Sequence, residues 1–194
     1  MNPPNLTHHL GLVTSADRAA VLEHQPATLW LTGLSASGKS TLAFALEHKL
    51  IGEGKASYVL DGDNVRHGLN RDLGFSAEER SENIRRIAEV AKLMNDAGLI
   101  VITAFISPFQ ADRAMAREII GDEHFKEVYV STPIAVCEQR DPKKLYQRAR
   151  KGEVAEFTGI SSPYEAPTEP ALVIDTSILT QDEAVQRLAA LLRK

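Results

Sequence analysis

Residues 33–40 read Gly33-Leu34-Ser35-Ala36-Ser37-Gly38-Lys39-Ser40, the pattern G-x-x-x-x-G-K-[ST], and no other feature limits the fold as much. The spacing lets successive backbone N–H groups curl round a phosphate at the start of a helix, where the helix dipole favours anions. Such a loop works only between a strand and a helix. Both are legible: residues 28–31 form a short apolar strand, and over 39–51 Leu42, Ala43, Leu46 and Leu50 fall on one helical face. The pattern implies a nucleoside triphosphate, with Lys39 bridging its β- and γ-phosphates and the Ser40 hydroxyl ligating Mg²⁺. A guanine-nucleotide switch does not fit, because neither N-K-x-D nor D-x-x-G occurs in the chain.

Apolar runs and helical periodicity alternate from there on, a β-α-β-α rhythm. Residues 58–60 read as a second strand closing on Asp61, followed by a short helix over 64–69. Ser76 and Glu79 form a capping box for a helix with Ile84, Ile87, Ala88, Ala91 and Met94 at helical spacing, stopped by Gly98. Residues 99–106 are almost continuously apolar, as a parallel strand covered on both faces would be. Residues 128–130 and 172–174 give two more strands, and Thr180 with Glu183 caps a closing helix that turns Ala184, Leu188 and Leu191 or Leu192 inward. This predicts an α/β fold: a P-loop NTPase-like three-layer α/β/α sandwich with a mostly or fully parallel central sheet, ligands lying at the carboxyl ends of its strands. Residues 140–170 fit neither period and carry Gly152, Gly159, Pro163, Pro167 and Pro170, so they are read as a long lid or substrate loop. One domain over 1–194 is expected, with 1–26 as an N-terminal extension.

With 194 residues, 43% apolar and 25% charged, the chain has an ordinary globular make-up, which excludes disorder and collagen-like repeats. Cys137 is the one cysteine, so neither an intrachain disulfide nor a thiol-rich metal site can form, and the histidines show no metal spacing. The start, MNPPNLTHHLGLV, lacks the charged and apolar regions of a signal peptide. The longest apolar run, 99–106, is far short of the ~20 residues of a membrane span. A soluble, cytoplasmic protein is expected. A net charge of −4 and a pI of 5.9 speak against a general nucleic-acid surface. Residues 140–151, however, hold six basic side chains against Asp141 alone, a local focus suited to small polyanions near the proposed lid.

The third strand ends in Ile106-Ser107-Pro108 rather than in an acid, and the carboxylates follow the second strand as Asp61-Gly62-Asp63. Two acids at a strand end suit the organisation of Mg²⁺ and the acceptance of a proton from an attacking hydroxyl. The plainer reading is a turn that caps the next helix. Arg80 and Asn83, three apart, share a helix face that either holds an anionic group or is simply solvated. Phe75 just upstream stacks on a planar ring or serves as a hydrophobic staple. These residues alone point to a small-molecule kinase with an anionic acceptor.

The segments GLSASGKST, DGDNVRHGLN, LGFS with ERSENIRR, FISP, and RDPKKLYQRARKGEVAEFTGISSPYEAP, in this order, resemble the adenylylsulfate kinase (APS kinase) family from about Asn5 to Lys194. The resemblance implies ATP- and Mg²⁺-dependent phosphorylation of the 3′-hydroxyl of adenosine 5′-phosphosulfate, giving 3′-phosphoadenylyl sulfate for sulfate activation or assimilation. Carried over by residue, it assigns Gly33, Leu34, Ser35, Ala36, Ser37, Gly38, Lys39, Ser40 and Thr41 to ATP, with Ser40 and Asp61 at the metal. Asp61, Gly62, Asp63, Asn64, Arg66, Phe75, Arg80, Asn83, Ile106, Ser107, Lys143 and Phe157 go to the adenylyl sulfate. In that picture Phe75 and Phe157 sandwich the acceptor adenine, while Arg66, Arg80 and Asn83 hold its phosphosulfate and ribose. Asp63 orients or deprotonates the 3′-hydroxyl, Lys39 stabilises the transferring phosphoryl group, and Arg148 in the lid covers the nucleotide. Ser107 is the family's active-site serine; the absence of a neighbouring base in its motif favours direct in-line transfer over a phosphoserine route.

The chain departs from the family where Ala36 and Lys144 replace a usual Gly, Glu156 a Gly or small residue, and Ser161 a common Asp. Ala36 is harmless only at negative φ. A homodimer is the family default. Another small P-loop kinase, for a nucleoside or sugar acid, would share the loop but not the later segments. A non-catalytic nucleotide-binding regulator would be expected to lack Lys39 or Asp63, and both are present.

Overall fold

The first apolar run becomes β1 (Ala27–Thr32), buried at every position. The structure, a computed structural model, describes residues 7, 9 and 11–193; the rest of the N-terminal start, including Asn5, and Lys194 at the other limit of the resemblance lie outside the described residues. β1 is the middle of a five-stranded sheet completed by β2 (Ser57–Asp61), β3 (Ile100–Ala104), β4 (Phe125–Val130) and β5 (Leu172–Ile174), in the order β2-β3-β1-β4-β5. Every pairing is parallel, with Leu29 of β1 opposite Ile102 on one side and Lys126 on the other. The expected parallel sheet is therefore present, and fully so.

Side chains alternate across a strand, so β1 feeds both layers. Leu29 and Leu31 join Ile102, Val128 and Val130 beneath α2 (Lys39–Gly52) and α8 (Gln181–Ala190). Trp30 and Val101 face the other way, against α4 (Ala77–Asp96) and α5 (Gln110–Ile120). Burial of each such Leu or Ile contributes about 1.5–3 kcal/mol relative to exposure. That two-sided cover explains why the strands read as continuous apolar runs.

Both expected capping boxes form: Ser76 with Glu79 at α4, and Thr180 with Glu183 at α8. A third, Thr14 with Asp17, starts α1 (Ser15–Leu22) inside what reads as a featureless extension. Gly98 closes α4 with φ +92°, a conformation that costs glycine little. The helix after β2 is α3 (Gly62–Arg66), not 64–69, because Asp61 itself is the N-cap and accepts from the N–H groups of Asp63 and Asn64. The 140–170 segment is also more regular than expected. It follows α6 (Ile134–Arg140) and contains α7 (Leu145–Arg150), too short for its period to show in sequence. Its Tyr146, Ala149 and Phe157 form a small core with Cys137, against which Leu34 and Ala36 of the phosphate loop pack. Among the described residues no helix is long and apolar enough to cross a membrane.

Candidate active site

The chain leaves β1 for β2 and β3 on one side and for β4 and β5 on the other, so a crevice opens where β1 ends. The Gly33–Ser40 loop occupies that point. Gly33 is required there, since a Cβ would lie 2.4 Å from the Val130 carbonyl oxygen. Two hydroxyls brace the loop from behind: Thr132 Oγ1 donates to the Ser37 carbonyl at 3.0 Å and Thr176 Oγ1 at 2.8 Å. From the 140–170 segment, Tyr146 donates its hydroxyl to the Ser35 carbonyl at 3.0 Å. Lys39 is 7% exposed and donates to the carbonyls of Gly33 at 3.0 Å and Leu34 at 2.6 Å. Burial pulls its pKa down from 10.5 to about 8, offset in part by the Asp61 and Asp63 carboxylates.

In front of the loop, Ser40 donates its hydroxyl to Asp61 Oδ2 at 2.7 Å, while Asp61 Oδ1 caps α3. Asp61 thus fills the capping role considered for it, with its other oxygen turned to the loop hydroxyl. A hydroxyl and a carboxylate beside a phosphate loop suit Mg²⁺, which binds few protein oxygens and completes its shell with water and phosphate. No group of three or more His, Cys, Asp or Glu among the described residues offers an all-protein metal cage. Asp63, two residues after Asp61, is exposed and pairs with Lys143 of the 140–170 segment.

A cavity of about 1320 Å³ runs forward from the loop. Its wall includes Ser35, Ala36, Thr41, Gly62, Asn64, Ile106 and Arg148, along with Arg66, Phe75, Arg80, Asn83, Lys143 and Phe157. Of the residues picked out in sequence, Gly33, Leu34 and Ser37 do not line it; Leu34 instead packs towards Ile134 and Gly159. Phe75 is 62% exposed, and the Arg66 guanidinium lies 4.4 Å and that of Arg80 5.8 Å from its ring centre. It is therefore not a buried staple. Arg66 also donates to the carbonyls of Leu73 and Gly74, and Arg80 to those of Phe75 and Glu156, so both arginines brace the loops they sit between. Asn83 is buried and accepts from Asn70 at 2.9 Å. Phe157 meets Tyr146 edge-on, 4.9 Å between centroids. Of the basic cluster, Arg140, Lys143 and Arg148 reach the cavity, whereas Lys144, Arg150 and Lys151 do not.

Ser107 sits in the wall at the end of β3 with φ +38°, and its hydroxyl accepts from the Trp30 indole N–H at 3.2 Å. No histidine or carboxylate is hydrogen-bonded to it among the described residues. The cavity can hold a triphosphate at one end and an anionic, ring-bearing acceptor at the other.

The family model for adenylylsulphate kinase matches residues 25–175. The chain belongs to the adenylylsulphate kinase family. It is 58% identical over 184 residues to the adenylyl-sulfate kinase of Shewanella amazonensis, covering 95% of this chain and 93% of that one. It is 54% identical over 184 residues to that of Staphylococcus carnosus, with 95% and 92% covered. The structure of the Mycobacterium tuberculosis APS kinase CysC in complex with AMPPNP and APS superposes with a TM-score of 0.85 at 48% identity, over 88% of this chain and 99% of that one.

Within the adenylylsulphate kinase fold, the departures noted in sequence take a definite form. Ala36 has φ +58°, so the condition for its being harmless is not met. Lys144 and Glu156 likewise stand at +54° and +51°. The glycine conformation is thus kept at all three sites with a Cβ forced into it. Ser161 still accepts from the Phe157 N–H, at 2.9 Å. Sequence reading missed Trp30, Thr132 and Thr176, which hold the site from behind, and Tyr146, which braces the loop from the 140–170 segment. The one signal open to it was Trp30, since a tryptophan in a buried strand must find a partner for its N–H.

Proposed function

We propose that this chain transfers the γ-phosphoryl group of ATP to the 3′-hydroxyl of adenosine 5′-phosphosulfate, giving 3′-phosphoadenylyl sulfate and ADP. The observation that carries this reading is the continuity of one cavity from Lys39 and Ser40 to Asp63, Phe75, Arg80 and Phe157. A single small-molecule pocket usually measures ~300–1,000 Å³; this one has room for two nucleotides end to end.

Phosphoryl transfer asks mainly for alignment and neutralisation of charge. The loop N–H groups and Lys39 hold the β- and γ-phosphates, and Arg148 covers the nucleotide. Ser40 and Asp61 would hold Mg²⁺, which supplies charge neutralisation on the phosphates when bound. Phe75 and Phe157 face the two sides of the acceptor adenine, Arg66, Arg80 and Asn83 take its anionic and ribose groups, and Lys143 adds a cation from the lid. Asn64 and the backbone of Gly62 and Ile106 close the wall. Asp63 accepts the proton of the 3′-hydroxyl as it attacks. Ser107 lines the acceptor site, and transfer is direct. Its hydroxyl oxygen already accepts from Trp30, and among the described residues no histidine or carboxylate is hydrogen-bonded to it, which supports that choice. We further propose one domain with 140–170 as its lid, a homodimer, and a cytoplasmic setting.

The test is ADP release from Mg-ATP with adenosine 5′-phosphosulfate, adenosine monophosphate or gluconate as acceptor. Release that depends on the phosphosulfate alone supports the reading, and turnover with gluconate instead would overturn it. Chirally labelled γ-phosphate decides the route: inversion means direct transfer, retention a phosphoserine.

A further inference from the structure

Arg113, on the inner side of α5, is 3% exposed and uses three edges of its guanidinium. Nε donates to Glu127 Oε1 of β4, Nη1 to the Ser107 carbonyl and Nη2 to the Glu165 carbonyl, each at 2.7 Å. Three segments distant in sequence therefore meet on one side chain. Lysine, a point charge with no planar fork, cannot satisfy these three directions together.

Two of the partners matter to the cavity. Ser107 holds φ +38°, a conformation unfavourable for a residue that carries a Cβ. It is held by Arg113 at 2.7 Å and Thr32 Oγ1 at 3.3 Å, both donating to its carbonyl, and by Trp30 at its hydroxyl. Glu165 is where the lid returns to the body, and its own N–H donates to the Pro108 carbonyl at 2.8 Å. The turn that carries Ser107 and the return end of the lid are thus tied through Arg113 and directly, and Gln110 at the start of α5 adds bonds to Glu165 Oε2 and the Ala166 carbonyl.

We propose that Arg113 is a positioning residue for phosphoryl transfer: it holds the Ser107 turn in its left-handed form and fixes the lid's return end to that turn. The acceptor wall and the lid then share one anchor. This rests on the proposed function for its substrate. A small misplacement of such a wall can cost up to about 10²-fold in rate, so a residue that never touches substrate can govern acceptor use.

The experiment compares R113K, E127Q and S107G, and R113K combined with S107G, with the parent chain. R113K keeps a cation beside Glu127 and gives up the carbonyl clamp; E127Q weakens the ion pair and leaves the clamp. In R113K, the KM for adenylyl sulfate is expected to rise about tenfold while that for ATP stays within about twofold. In E127Q the melting temperature falls and both KM values hold. Glycine accepts positive φ unaided, so in the S107G background the R113K effect shrinks to below about threefold. Trp30, the chain's one tryptophan, gives a second readout, its emission changing in R113K and not in E127Q.

A lower melting temperature in R113K with both KM values and Trp30 emission unchanged makes Arg113 a purely structural residue and overturns the proposal. So does an R113K effect of equal size with and without S107G. If the parent chain itself shows no phosphosulfate-dependent ADP release, it is the functional reading that fails, and Trp30 emission still decides whether Arg113 sets the turn.

Discussion

Lys39 donates to the carbonyls of Gly33 and Leu34, and burial brings its pKa to about 8. The unfolded chain, with a lysine near 10.4, binds more protons between about pH 8 and pH 10.4, so this group's contribution to stability rises with pH across that window. ATP reverses the preference, because its phosphates favour the charged ammonium. Binding above pH 8 therefore takes up a proton, and affinity at pH 9 is expected to be about tenfold weaker than at pH 7. Calorimetry in two buffers of different ionisation enthalpy measures the proton directly; an affinity that does not change over this range rules out the assignment. Asp63 gives a second prediction. Asp63→Asn keeps the shape but cannot take the 3′-hydroxyl proton, so kcat falls by about 10²–10⁴-fold, with the KM for ATP unchanged. Retained kcat would leave Asp63 as no more than a partner for Lys143.

At the scale of elements, α4 places Arg80 and Asn83 on the cavity, and its capping box fixes where the helix begins, directly after Phe75. Ser76→Ala removes one half of that box at a cost of about 1 kcal/mol, which for a chain of this size lowers the melting temperature by about 2–4 °C. The KM for adenylyl sulfate should rise with it while that for ATP holds; equal changes in both would mean that the cap only supports the fold. This element was legible in sequence, because a capping box and a helical period are local signals. The sheet was legible for the same reason, through apolar runs that two-sided burial requires. What stayed hidden is non-local. Thr132 and Thr176 reach the phosphate loop across separations of 95 and 139 residues, and no local pattern marks a threonine for that task. The sign of a φ angle is hidden too, and so the sequence could state only the condition on Ala36, a negative φ, and not that it fails. Lys144 stands at the N-cap of α7 with φ +54°, where Lys144→Gly should remove strain of about 1–2 kcal/mol. A raised melting temperature checks this, and a lowered one would show that the Lys144 side chain contributes more than its backbone costs.

For the whole molecule, the sign of the charge depends on where it is read. The chain is −4 overall, yet the cavity wall carries Lys39, Arg66, Arg80, Arg140, Lys143 and Arg148 against Asp61, Asp63, Asp141 and Glu153, an excess of two positive charges. Helix α7 sharpens this division. Arg148 and Arg150 are two residues apart and so lie on opposite sides of a helix; Arg148 faces the cavity, while Arg150 pairs outward with Glu138. By sign, such an exterior is unsuited to large polyanions and such an interior is suited to small ones. Screening separates the two contributions, since the Debye length falls from about 10 Å at 0.1 M salt to about 3 Å at 1 M. The KM values for both substrates should therefore climb several-fold over that range, with kcat changing less. Arg148→Gln, inside the cavity, should raise the KM for ATP at low salt and flatten its salt dependence, whereas Lys151→Gln, outside it, should leave both as they were. If Lys151→Gln altered the salt dependence as much as Arg148→Gln, attraction would be spread over the surface rather than focused in the cavity.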